Sequence, residues 1–232
     1  VDLAAAGIDF LVTPDPTPDD RGLPAQTVSQ FLDAYNLQVA INGDFFDPWR
    51  DFGPLDYYPH TQDLVTVRGL AISDGQIYTR GYSRNFDTVF ISANNRVAFN
   101  RPNNDDDNAI SGTPMIVENG GVAPMRRTGF VLQNHPRTAI AIDALGRTLI
   151  LIAVDGRQPN YSEGVSLIEL AEIAIEYGAH QALNMDGGGS VSLTIAGPGG
   201  APLILNSPIH NRIPGRERPI GNHLGIYALP PE

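Results

Sequence analysis

The sequence predicts an α+β fold: mixed, largely antiparallel β-sheets with a few packed helices, in a single domain. Three observations predict it. Short apolar stretches recur on either side of turn dipeptides, which is the pattern of hairpins. Two segments carry the helical period, each opened by a capping-box pair. The chain of 232 residues contains 24 glycines and 19 prolines, so turns are frequent and elements short. Many strands with two clear helices fit α+β or mixed α/β, and no change of composition marks a domain boundary.

From the N-terminus, residues 11–26, rich in Pro, Asp and Thr, read as an ordered loop or arm. Thr27 and Gln30 form the first capping box, Val28, Phe31, Leu32 and Tyr35 share one face, and Asn36 is the stop. Residues 37–41 form a strand running into Asn42-Gly43-Asp44-Phe45-Phe46-Asp47. Hairpins are expected from 65–72 and 76–79 around Asp74-Gly75, from 88–92 and 96–99 around Asn94-Asn95, and from 138–143 and 148–154 around Leu145-Gly146. Residues 100–113 are polar and read as a loop. Ser166 and Glu169 open the second helix, with Leu167, Leu170, Ala171, Ala174 and Tyr177 on its apolar face and Gly178 as its cap. Residues 182–185 form a strand that ends in Asp186-Gly187-Gly188-Gly189-Ser190, and 191–195 continue that sheet. Strands at 203–206 and 224–229 complete the chain. A helix, a strand and a glycine-bearing polar turn occur in that order at 27–44 and again at 166–187.

Composition removes several classes of function. Twenty-six acidic residues against 15 basic ones give a net charge of −11, and all 15 are arginine. Without lysine there is no Schiff-base chemistry and no P-loop lysine. Without cysteine there is no thiol nucleophile, disulfide, iron–sulfur cluster or thiolate zinc site. The negative charge argues against nucleic-acid binding but leaves room for a local arginine site for a small phosphate. The longest apolar run is Leu149–Val154, far below the ~20 residues of a membrane span. Val1 is not an initiator methionine, which fits a processed mature chain or a trimmed one. The lack of cysteine fits an extracytoplasmic bacterial protein, secreted or periplasmic.

Four places carry groups suited to chemistry. Asn184-Met185-Asp186-Gly187-Gly188-Gly189-Ser190 sets a carboxylate at a strand end beside a backbone able to form an anion-binding nest. A tight turn needs fewer glycines and fewer polar neighbours. Asn42 and Asp44 also sit at a strand end, on a base anchored by Phe45 or Phe46. Asp44 and Asp47 read either as cation ligands or as solvated loop acids. Arg137 and Arg157 lie at one end of a predicted hairpin, where two guanidiniums suit a phosphate; Asp155 between them is a candidate partner. Arg212, Arg216, Arg218 and His223, with Asn211 and Asn222, form a shaped polar loop or a solvated face. His60, His135, His180, His210 and His223 lack metal-ligand spacing. Asp105-Asp106-Asp107 reads as an exposed acidic loop rather than a calcium loop. No G-x-S-x-G supports a serine nucleophile.

Taken together, INGDFF at 41–46, PRTAIAID at 136–143, VDGR at 154–157, GVSLIELAEI at 164–173, NMDGGGSVSL at 184–193 and RERPIGNHLGI at 216–226 form an ordered set. That set resembles the phosphodiester glycosidase domain, the family of the mannose 6-phosphate uncovering enzyme. The resemblance runs from about residue 37 to the end. It implies an N-terminal arm and first helix at 1–36 and the family domain at 37–232, close to the bare domain without the added modules of the animal enzyme. It implies hydrolysis of a sugar-1-phosphodiester, such as an α-GlcNAc-1-phospho-sugar, to free sugar and a phosphomonoester. The polar cavity would be lined by Asn42, Asp44, Arg137, Asp155, Arg157, Asn184, Asp186, Gly187, Gly188, Gly189, Ser190 and Arg218. Asp44 and His223 stand at positions where the family pattern varies.

The chemistry accords with that implication. A phosphate leaves as a stable anion, with a second pKa of roughly 6, so a strong general acid is less needed. Asp186 is the first candidate for nucleophile or base, with Asp44 second. Arg137 and Arg157 are the phosphate clamp, and Asn42, Asn184 and Ser190 orient substrate. No cofactor is required; a structural calcium has no clean motif. The expected partner is a sugar-1-phosphodiester or envelope glycan. Two other readings are a metal-dependent phosphodiesterase, with Asp44, Asp47, Asp155 and Asp186 as metal ligands, and a non-catalytic carbohydrate- or anion-binding module of the cell envelope.

Overall fold

A computed structural model describes residues 1–16, 22–81 and 85–229. Among these residues three five-stranded sheets dominate, and every strand pair in them is antiparallel. The first sheet runs Asp9–Val12, His223–Tyr227, Val39–Asn42, Leu193–Ala196, Pro202–Ile204. The second runs Val97–Phe99, Asp87–Ser92, Asp106–Gly112, Leu70–Ser73, Gln76–Arg80. The third runs Gly121–Val122, Met115–Glu118, Ala179–Asn184, Arg137–Asp143, Leu149–Val154. A three-stranded sheet (Leu23–Pro24, Leu64–Val67, Phe46–Asp47) and a hairpin (Arg50–Gly53 with Asp56–Tyr58) flank them.

One apolar core is shared by the three large sheets. Ile41 and Leu224 reach it from the first, Val89 and Ile110 from the second, Ile140 and Leu183 from the third. Alternation sends the other strand faces outward to helices. Ala40 meets Phe31 and Leu32 of the helix Val28–Ala34, and Ala139 and Ala182 meet Leu167 and Leu170 of the helix Leu167–Glu176. Both helices begin with the expected capping boxes, each satisfying two backbone donors. Asn36 and Gly178 take the left-handed conformation that ends them, at φ 54° and 92°. A third helix, Gly129–Leu132, is a single turn. The N-terminal segment is woven into this architecture: Asp9–Val12 pairs with His223–Tyr227.

Four expectations change. The loop read at 100–113 holds a seven-residue strand, Asp106–Gly112, central in its sheet. Its polar residues are satisfied by distant partners: Asn108 accepts from Val12 N–H at 2.9 Å and donates to the Phe10 carbonyl at 3.2 Å. Asp106 and Asp107 therefore begin a strand instead of lying in an acidic loop. The strand read at 65–72 breaks at Arg68-Gly69 and serves two sheets. Residues 191–195 do not continue the sheet of Ala179–Asn184, because a one-turn helix at Gly188–Ser190 swings the chain into the first sheet. The arm read at 11–26 includes the short strand Leu23–Pro24, and its residues 17–21 lie outside the described residues.

Candidate active site

The strands Val39–Asn42 and Ala179–Asn184 belong to different sheets, yet their carboxyl ends meet. Asn42 donates from Nδ2 to the Asp186 carbonyl at 2.8 Å, and the Asp186 N–H donates to the Gly43 carbonyl at 3.1 Å. Asn42 Oδ1 accepts from Thr138 Oγ1 at 2.7 Å and from the Ser192 N–H at 3.2 Å. This fully buried amide ties three segments together and fixes where Asp186 stands. Asn184, also fully buried, donates to the Thr113 carbonyl at 2.6 Å and so anchors its strand end.

Asp186 lies partly exposed on the wall of a cavity of about 890 Å³. The three glycines after it form a shelf for two arginines. A Cβ on Gly188 would stand 2.9 Å from Arg157 Nη1, and one on Gly189 would stand 2.7 Å from Arg218 Nη2. Gly188 also needs its φ of 63°. Arg218, 9% exposed, donates from Nε to His210 Nδ1 at 3.2 Å, pairs with Asp51 at 3.3 Å and lies over the Trp49 ring at 5.5 Å. Arg157 reaches His135 Nδ1 at 3.3 Å. Among the described residues, five arginines (68, 137, 157, 212 and 218) and two acids, Asp51 and Asp186, stand around the cavity. In a chain of net charge −11 this is a local inversion of sign.

The titratable groups respond to this setting. Burial raises the Asp186 carboxyl, while the Ser190 hydroxyl, the Arg218 charge and the Gly187 N–H pull it back down. Burial lifts Asp44 well above the carboxylate range, against hydrogen bonds from the Gly69 and Phe45 N–H groups; the Asp186 charge adds to the rise and the Arg68 charge opposes it. Asp44 is 1% exposed; its Oδ2 accepts from Gly69 N–H at 2.6 Å, and its Oδ1 has no partner in the protein. Burial, then Arg218 and Arg216, lowers His210 to about 3, so its Nδ1 is a neutral acceptor for Arg218. Burial lowers Arg137 to about 10, with the Arg157 charge adding to it.

Asp186, Gly187, Gly188, Gly189, Arg137, Arg157 and Arg218 all line the cavity, and Ser190 sits behind them within 3.4 Å of Arg218 Nη1. Asn42 and Asn184, the buried anchors above, do not line it, and other residues singled out from the sequence are also set differently. Asp155 is turned away from the cavity: its carboxylate accepts from the Ser207 N–H, Asn206 Nδ2 and the Tyr161 hydroxyl, each at 2.9 Å. Asp44 is enclosed behind the wall. Arg137 donates to the carbonyls of Phe130, Gln133 and Val165, at 2.6, 3.1 and 3.3 Å, so its guanidinium secures the wall. His223 is wholly buried, bonded to Thr13 Oγ1 at 2.9 Å and stacked on Phe31. Asp47 holds Arg68 through two bonds, at 2.6 and 2.7 Å.

The rim was not legible from motifs. Asp51 and Phe52 come from the hairpin Arg50–Gly53 with Asp56–Tyr58, and Trp49 immediately precedes it; its signal was Gly53-Pro54 between two aromatic-bearing stretches. Asn211 and Arg212, which the sequence marks only as part of a polar cluster, also line the cavity, at φ 54° and 60°. Among the described residues no group of three or more His, Cys, Asp or Glu is placed to hold a metal ion, and no helix is long and apolar enough to cross a membrane.

The site is thus an arginine-rich cavity with two carboxylates on its wall, Asp51 paired to Arg218 and Asp186 beside the glycines, set where two sheets meet. The family comes from sequence: the phosphodiester glycosidase (NAGPA) family matches residues 35–227, and the chain belongs to that family. No curated protein matches the chain. Among solved structures, it is similar to the catalytic domain of zebrafish N-acetylglucosamine-1-phosphodiester alpha-N-acetylglucosaminidase, auto-inhibited by its pro-peptide. That match has 23% identity and a TM-score of 0.71, over 96% of this chain and 73% of that one. It is similar also to a Burkholderia pseudomallei K96243 protein described as exported (15% identity, TM-score 0.67, 97% and 72% covered). A hypothetical protein from Synechocystis matches at 18% identity and a TM-score of 0.58, over 99% of this chain and 58% of its own.

Proposed function

We propose that this protein hydrolyses the sugar C–O bond of a sugar-1-phosphodiester, releasing free sugar and a phosphomonoester. The observation that carries the reading is the arginine-lined cavity with Asp186 on its wall, in a chain otherwise strongly acidic. A phosphodiester enters with one negative charge, and a second develops on it as the C–O bond breaks. Arg157 and Arg218, held on the glycine shelf, meet that growing charge, which is where fixed cations accelerate most. Asp186 acts as nucleophile on the anomeric carbon or as base for the attacking water. Water supplies the hydroxyl of the released sugar, and its proton leaves through Asp186. Arg137 adds charge from the wall and holds it in place. Asn42 and Ser190 position Asp186 and Arg218, Asn184 anchors its strand end, and no cofactor takes part. Family membership makes an α-GlcNAc-1-phosphodiester the first substrate to test. An extracytoplasmic setting accords with the missing cysteines and the exported relative.

The test is product analysis with GlcNAc-α-1-(methyl phosphate), with and without EDTA, by mass spectrometry. In ¹⁸O-water, free GlcNAc and unlabelled methyl phosphate, formed equally with EDTA, are the expected products; label in the methyl phosphate would place the cut at the P–O bond on the sugar side. GlcNAc-1-phosphate and methanol, lost on chelation, would place the cut at P–O and assign the site to a metal phosphodiesterase. No turnover across a panel of sugars would favour a binding module.

A further inference from the structure

Asn211 stands out among the cavity residues because its amide is unused. The side chain is 5% exposed, lines the cavity, and neither Nδ2 nor Oδ1 finds a partner in the protein. Buried amides without partners are rare in folded proteins, because each donor or acceptor stripped of water carries a desolvation cost. Its backbone is also held in the left-handed region, at φ 54°, by a closed loop in which the His210 N–H bonds the Arg216 carbonyl at 3.0 Å and the Gly215 N–H the Pro208 carbonyl at 2.8 Å. The loop fixes the position of the side chain, and an unsatisfied amide held against a cavity is one whose missing partners a ligand can supply. Two further facts say which ligand. The loop packs against the turn Gly188–Ser190, whose glycines seat the guanidiniums, so the amide's ligand lies next to the anion. Trp49 and Phe52 line the same cavity and keep 53% and 80% of their surface exposed, and the strand that carries Phe52 touches the Asn211 turn; they are an apolar face of the sort that covers the C–H face of a pyranose.

We infer that Asn211 is a specificity-determining residue that reads the sugar: its amide donates to one ring hydroxyl and accepts from the neighbouring one, while the arginines hold the phosphate. This rests on the phosphodiester reading and adds to it the group that distinguishes a glycosyl ester from any other phosphate ester.

The experiment uses the whole chain and the variant Asn211→Gly, which keeps the left-handed backbone free of strain and removes only the amide. Affinities are measured calorimetrically for GlcNAc-α-1-(methyl phosphate), glucose-α-1-(methyl phosphate) and inorganic phosphate, alongside thermal melting. Both the protein with Asn211, called wild type in this comparison, and the Asn211→Gly variant also carry Asp186→Asn, so that the esters are bound without being cleaved. Wild type is expected to bind at least one sugar ester ~10-fold or more tighter than inorganic phosphate. Asn211→Gly is expected to lose that preference while holding phosphate within twofold and melting at the same temperature or higher. A variant that keeps the preference, or melts well below wild type, overturns the inference, since the amide would then serve the fold. Wild type that binds phosphate with no preference for a sugar ester overturns it too, while leaving the phosphate site intact. Failure of the phosphodiester reading itself shows separately, as GlcNAc-1-phosphate among the products or as no binding of any of the three ligands.

Discussion

Residues 27–44 and 166–186 pass through the same events: a capping box, a helix, a left-handed stop, a strand, and then Asn-x-Asp. The two aspartates nevertheless end in opposite settings. Asp44 is enclosed, with one oxygen on the Gly69 N–H and the other unpartnered. Asp186 opens onto the cavity beside Arg218. The difference lies in the residues next along the chain. Phe45 and Phe46 come after Asp44, and Phe46 goes into the core at 3% exposure. Three glycines come after Asp186, and with no side chains they leave room for guanidiniums in front of the carboxylate. The local motif delivers an aspartate to a strand end; its successors decide whether it faces protein or substrate.

The sharpest way to break this comparison is to neutralise each carboxylate in turn. Asp186→Asn should cut turnover of the sugar phosphodiester by roughly 10²–10⁴ while the protein still folds, because it removes the only carboxylate on the wall, among the described residues, not paired to an arginine side chain at bonding distance. Steady-state kinetics with a melting curve measure this. A variant with near-wild-type kcat would transfer the catalytic role away from Asp186 and undo the contrast with Asp44.

The glycine shelf is the second point of attack. Gly189→Ala strains no backbone dihedral but puts a Cβ at 2.7 Å from Arg218 Nη2, and Arg218 is pinned by His210 and Asp51. Displacing a charge by a fraction of an ångström to an ångström should lower kcat/KM by about 10- to 100-fold. Gly188→Ala adds the left-handed penalty of about 1–2 kcal/mol, so it should lose thermal stability as well. Equal melting temperatures for the two variants would contradict the geometry of the shelf.

The same contrast explains what the sequence disclosed. Capping boxes and the Asp74-Gly75 turn are signals confined to a few neighbouring residues, and they appear in the structure where the sequence put them. The triple glycine makes a turn too, but the N–H groups of Gly187, Gly188 and Ser190 bond Asp186, Pro136 and Gly187 and do not form the expected anion nest. Asp106–Gly112 was hidden because its Asp and Asn content reads as loop, and the backbone groups that satisfy Asn108 lie 96 and 98 positions away. Arg137 and Arg157 do share one end of a hairpin, as expected. Which arginine faces the cavity freely depended on carbonyls at Phe130, Gln133 and Val165 that no spacing reveals. Arg218 belongs on the glycine shelf for the same kind of long-range reason. Asp155 looked functional beside Arg157, and its carboxylate went instead to the 206–207 backbone and side chain.

The smallest effect concerns Asp44, and its sign is diagnostic. Burial raises its pKa in the folded protein above the unfolded value of about 3.9. Below that value the carboxyl is neutral in both states and costs nothing. As pH rises, the unfolded chain releases the proton first, and stability falls until the folded-state pKa is passed. Asp44→Asn keeps an oxygen for the Gly69 N–H and removes the charge. The variant should match wild type near pH 3.5 and exceed it at pH 8 by on the order of 1 kcal/mol, about 2–4 °C in Tm for a chain of this size. Melting curves across that range decide it. A variant less stable than wild type at pH 8 would mean that the ionised Asp44 is held by Arg68 strongly enough to outweigh its burial, and the two aspartates would then be alike in charge and differ only in access.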